Sequence, residues 1–174
     1  MTYNTNRIAN HETGHAIMFW LYRNPMIEIV VDADNGHGHV APMNWMSDEE
    51  TYRMRIAGAI GEAMFTYKAQ GKIAQKELAW TILQGQKFAS HTNGDGTVTD
   101  TIANKLGVDP YAMFNSHFDA VYAILYAHRG LAKRQVAYLA RHNKMDDNMF
   151  RQIAGDWQDA KNVATDARRR ANKM

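Results

Sequence analysis

The chain has 174 residues and a net charge of +2. That length predicts one domain, residues 1–174, with a real core, and so small a charge does not imply a nucleic-acid partner. It holds no cysteine, which excludes disulfides, thiolate metal ligands and a cysteine nucleophile, and a reducing, cytoplasmic setting is expected. No apolar stretch is long enough to span a membrane, and the N-terminus lacks a signal-peptide pattern.

Residues 6–23 predict a first helix, with Asn6 as N-cap and Asn24-Pro25 as its end. Within it His11-Glu12-Thr13-Gly14-His15 matches H-E-x-x-H. Residues four apart share a helix face, so both imidazoles can grip one metal ion with Glu12 beside it. Ile8, Ala9, Ala16, Ile17, Phe19, Trp20 and Leu21 surround the motif, which predicts a largely buried helix. Two imidazoles and a carboxylate are costly to bury without a shared partner. The chemistry expected of this motif is that of the zincins: a metal-bound water, and a carboxylate to take its proton.

Met26 to Val31 is a β-branched run and predicts a strand. Asp32 to Gly36 is a turn with a hairpin-forming Asn-Gly, and His37 to Pro42 returns as a second strand. His37 and His39 share a face of that strand. They either line a cleft near the metal or are surface histidines on a hairpin, and the second is favoured.

Ser47-Asp48-Glu49-Glu50 is a capping box that opens a second helix, which Gly71 ends. Glu62 on that helix is either a partner for a ligand histidine or a surface glutamate. A third helix is expected from Ile73 to Phe88, and Ser90 to Thr97 is a loop by composition. Asn93-Gly94-Asp95-Gly96 within it lacks the end residues of a calcium loop. Thr97 to Asp100 resembles a capping box, opening a short helix that Gly107 closes. Asp109-Pro110 opens another, running to Gly130. Leu131 to His142 is helical, and Asp146 starts a last helix through Trp157. The basic run Ala167 to Arg170 reads as a solvated helix end. The expected class is α+β and mostly helical: a zincin-like motif helix packed with a small hairpin or three-stranded sheet, then a helical bundle.

The order of H-E-x-G-H helix, strand, glycine-containing turn, strand, and a helix carrying Ala57-Gly58-Ala59-Ile60-Gly61-Glu62 resembles the peptidase domain of FtsH-type ATP-dependent zinc proteases. His11 to Ala16 is similar to that family's H-E-A-G-H-A, and Gly36 to Val40 resembles its glycine-containing strand. The likeness covers residues 7–67. The AAA ATPase module and membrane anchor of that family have no counterpart here, so a stand-alone peptidase-like domain is expected.

The resemblance implies a Zn2+ cofactor held by His11 and His15, with Glu12 as general base, and peptide or protein substrates in an unfolded or short form. It implies a third ligand that is an aspartate starting a later helix. Asp100 is preferred, Asp119 is the alternative, and Asp95, read as part of the loop, is third. Two rival readings remain open: a non-catalytic zinc-binding interaction protein on a peptidase fold, and a regulatory metalloprotease that cleaves one repressor. The oligomeric state is left open.

Overall fold

The computed structural model describes residues 3–42, 44–67, 71–86, 94–155, 162, 164–166 and 169. Part of the expected loop (90–93), the end of the third helix at Phe88, Trp157 and most of the basic run at 167–170 lie outside these residues. Helix α1 (Tyr3–Leu21) begins before Asn6, so Asn6 lies inside it and does not cap it. Every residue from Ile8 to Trp20 is buried. This helix is the axis of the fold, with helix α2 (Asp48–Phe65) as its main neighbour.

Two glycines set the closeness of that crossing. A Cβ on Gly14 would meet the Ala57 carbonyl oxygen at 2.2 Å, and one on Gly58 would meet the His15 ring at 2.3 Å. Only residues without a side chain let the two backbones lie this near. The start of α2 is as predicted: Ser47 accepts from the Glu50 backbone and Glu50 Oε2 accepts from the Ser47 backbone, a complete capping box.

Strand β1 (Met26–Asp32) pairs antiparallel with β2 (His37–Pro42) across the predicted turn, where Gly36 takes φ +74°. The third strand, β3 (Lys144–Asp146), lies where the sequence marked none; it pairs on the other side of β1, giving the order β2-β1-β3 of the expected three-stranded sheet. Ile29 and Val31 face inward onto the core, and their neighbours on β2 are Val40 and Gly38. Glu28, Val30 and Asp32 face outward beside Ala41, His39 and His37.

The rest is helical: α3 (Gly71–Gly85), α4 (Asp95–Lys105), α5 (Pro110–Ala127), α6 (Arg129–His142) and α7 (Asp147–Ala154). Helix α4 starts earlier than its sequence suggests. Gly94 is its N-cap and Asp95 its first residue, so Asp95 belongs to a helix and not to the loop. Asp109 and Asp146 cap α5 and α7 through their side chains. Among the described residues, no helix is long and apolar enough to cross a membrane.

Candidate metal centre

His11 and His15 project from the same face of α1, their ring centroids 4.8 Å apart. Each ring is oriented by its Nδ1. His11 Nδ1 lies 3.1 Å from Glu62 Oε2, and His15 Nδ1 lies 2.8 Å from the Met54 carbonyl oxygen. A carbonyl or carboxylate oxygen can only accept, so each ring donates from Nδ1, His15 to Met54 and His11 to Glu62, and each turns its Nε2 toward the cleft. Both contacts come from α2, which passes close because of Gly58.

The two Nε2 atoms converge on one oxygen. Asp95 Oδ2 lies 2.9 Å from His11 Nε2 and 3.0 Å from His15 Nε2. The other carboxylate oxygen, Oδ1, accepts from Arg55 Nη1 at 2.8 Å. Glu12, between the histidines in sequence, is buried beside them. His11, Glu12, His15, Glu62 and Asp95 are each no more than 6% exposed. They line a cleft of about 740 Å³ whose walls are α1, α2, β2 and the facing ends of α3 and α4.

The electrostatics follow from crowding these charges out of water. Burial alone would lower the His11 pKa, but hydrogen bonds and charge from Asp95 and Glu62 outweigh it and raise it to about 10. Asp95 is held well below the usual carboxylate range: burial opposes ionisation, but His15 and His11 overcome it. Burial pushes Glu62 up as well, yet His11 and Arg7 bring it below its ordinary value. Glu12 differs. Its burial dominates the pull of the two histidines, and its pKa is raised. The centre thus attracts positive charge at the His11–His15–Asp95 junction and keeps a more basic carboxylate beside it.

The structure brings Asp95 to the histidines and does not bring Asp100 or Asp119. Asp100 lies five residues further along α4, about 140° round the helix. Its charge instead acts on the buried Tyr52, whose pKa burial and Asp100 both raise. Asp119 is inside α5, half-exposed, and paired with Lys72 Nζ at 2.9 Å. His37 and His39 are half-exposed beside Asp32 at 3.8 Å and Glu28 at 3.5 Å, and both also line the cleft, so the structure has them as surface histidines at its edge. Gly38 between them is the residue that faces Glu12: a Cβ there would sit 2.8 Å from Glu12 Cγ.

Sequence reasoning missed three contributors: Arg55 on Asp95, Arg7 on Glu62 Oε1 at 3.2 Å, and Gln86, whose Nε2 lies 3.3 Å from His11 Nε2. Nothing in their local sequence marks them, because each reaches the centre from a different element. No family model matches the chain, and no curated protein matches it. Function has to be read from the chemistry of these residues.

Proposed function

We propose that this chain is a zinc-dependent peptidase that hydrolyses peptide bonds in unfolded or short polypeptides. The single observation that carries the reading is the convergence of His11 Nε2 and His15 Nε2 on Asp95 Oδ2 at 2.9 and 3.0 Å, with Glu12 buried alongside. Two imidazole nitrogens and one carboxylate oxygen are a donor set suited to zinc with a fourth place left open. The orienting contacts to Glu62 and Met54 fit as well, since ligand histidines commonly bond a carboxylate or carbonyl through the other nitrogen. The resemblance to FtsH-type peptidases supports the same reading, because its third ligand is an aspartate starting a later helix, as Asp95 starts α4.

A bound zinc ion supplies a lowered water pKa and a polarised carbonyl. The chain's own residues do the rest. Glu12 takes one proton from the attacking water as the water oxygen bonds to the carbonyl carbon. The C–N bond then breaks, and Glu12 returns that proton to the leaving nitrogen. Its raised pKa suits both halves of this cycle. β2 is an edge of the sheet and lines the cleft, so a peptide can add there as a further strand, held by backbone hydrogen bonds that read no side chain. Gly38 gives that strand its place directly over Glu12.

The test is zinc content and cleavage of an unstructured peptide library, by wild type and Glu12→Gln. Stoichiometric zinc in both, with cleavage lost roughly a hundredfold in the variant, is expected. Zinc without cleavage in wild type would move the assignment to a zinc-binding interaction protein. Absence of zinc would remove the metal centre altogether.

A further inference from the structure

We infer that Arg55 reads the substrate: it binds a carboxylate that the peptide carries beside the scissile bond, as an acidic side chain or as a free C-terminus. The inference rests on the peptidase reading given above and names the substrate class of the same site.

Charge in the cleft is layered. Its carboxylates, Glu12, Glu62 and Asp95, are sunk, at 5%, 2% and 6% exposed. The side chains of Arg7 and Arg55, which line the same cleft, are each 31% exposed. His37 and His39 stand half-exposed at its edge. The charged or chargeable lining groups that keep real exposure are therefore all basic, a layout that favours an anionic partner. A strand added to β2 is held through its backbone, so the reading of a side chain or a chain end falls to another wall, and Arg55 stands on α2.

The second observation is the state of the guanidinium. Arg55 follows Met54, whose carbonyl oxygen orients His15, so it lies at the His15 end of the centre; Arg7 and its partner Glu62 lie at the His11 end. Arg55 Nη1 donates to Asp95 Oδ1 at 2.8 Å, but Nε is buried with no hydrogen-bond partner among the described residues. A buried donor left unsatisfied is uncommon and costs stability. The carboxylates of the cleft are already engaged elsewhere. Asp95 Oδ2 is turned to the two histidines, Glu62 is held by Arg7 and His11, and Glu12 lies under Gly38. An acceptor that arrives with the substrate fills the gap. A carboxylate suits it best, because a planar guanidinium and a carboxylate pair through parallel, charge-assisted hydrogen bonds.

The experiment gives matched peptide pairs to the zinc-loaded chain: aspartate against asparagine at each position flanking the cleaved bond, and a free C-terminus against its amide. Wild type should cleave a carboxylate peptide with kcat/KM roughly 10–100-fold above its uncharged twin, and which pair shows it tells a side-chain carboxylate from a chain end. Arg55→Gln should bring that ratio close to unity. Arg55→Lys, which keeps a charge beside Asp95 but loses the fork, should remove most of it. Each ratio compares two peptides on one protein, so weaker zinc binding in a variant that frees Asp95 cancels. Arg7→Gln should keep the wild-type ratio. Equilibrium binding of the same pairs to Glu12→Gln, with and without Arg55→Gln, reads the preference without turnover. Equal cleavage and equal binding within every pair overturn the inference, as does a ratio that survives in Arg55→Gln or collapses in Arg7→Gln instead. A wild type that cleaves no peptide, while Glu12→Gln still binds the carboxylate peptide more tightly through Arg55, is a separate failure: it removes the peptidase reading and leaves the carboxylate site.

Discussion

Arg55 holds Asp95 Oδ1 at 2.8 Å and so leaves Oδ2 alone to face the two histidines. The guanidinium fixes how the carboxylate enters the centre: one oxygen inward, one outward. Asp95→Ala should therefore lose zinc more severely than the roughly 10–100-fold typical when only a supporting partner is removed. Asp100→Ala and Asp119→Ala should bind zinc as wild type does. Chelator competition on the three variants checks the order, and a dominant effect at Asp100 would contradict the placement of Asp95.

In the proposed zinc centre, Glu62 would reach the metal only through His11. Glu62→Gln keeps the shape and weakens the charge behind the His11 ring, so zinc affinity should fall by about 10–100-fold while helical content stays the same. Arg7→Ala, one step further out, should cost much less. Equal losses in the two variants would mean that Arg7, not Glu62, orients the ring.

The pH dependence has a definite sign. In the zinc-free protein His11 has its pKa raised to about 10. In the unfolded chain it is about 6.5. The stability this group contributes is therefore full below about pH 6.5 and is lost as pH rises toward 10. Zinc demands a neutral His11, so the loaded protein gains where the zinc-free one loses. Chelator-treated protein should melt at falling temperatures from about pH 6.5 upward, and the rise in melting temperature on adding zinc should widen over the same range. Asp95 and Glu62, both lowered, add stability that is present above the ordinary carboxylate range and lost in acid. A zinc-induced shift that does not change with pH would show that His11 carries no proton in the folded, metal-free state.

Gly38 has no room for a side chain. A Cβ there would come within 2.7 Å of the Val30 carbonyl oxygen and of Ile8 Cγ2. Gly38→Val should force β2 away from α1 and cost about 1–3 kcal/mol, as overpacking of a filled space does. Urea denaturation measures this. Cleavage should fall further than stability, because the strand that seats the peptide moves relative to Glu12.

The histidine pair was legible because four-residue spacing on an apolar helix has one geometric meaning, and Asn35-Gly36 marked the hairpin. Asp95 was not read as part of a helix. Its N-cap is Gly94, which has no side chain to announce a cap, and the following Thr97–Asp100 run imitates a helix start. A usable signal was present: Asp95, Thr99, Ile102 and Ala103 form the buried face of α4 at helical spacing, and Asp100 falls off it. β3 could not be read, since three residues show no alternation and its pairing with Ile29 is set by the tertiary fold. Gln86 and Arg55 were equally silent, because only the crossing of α2, α3 and α4 brings them to α1.

The pairing of Ile29 with Met145 ties the hairpin near the beginning of the chain to a strand that comes after helix α6. A ribosome releases the motif helix, the hairpin and Asp95 long before Lys144 emerges. Until then β1 has an open edge on the side away from the cleft, able to recruit a foreign strand. An N-terminal fragment that stops short of residue 144 would contain every residue of the metal centre and still leave that edge unguarded. Such a fragment is expected to self-associate through β1 before it can present a usable cleft.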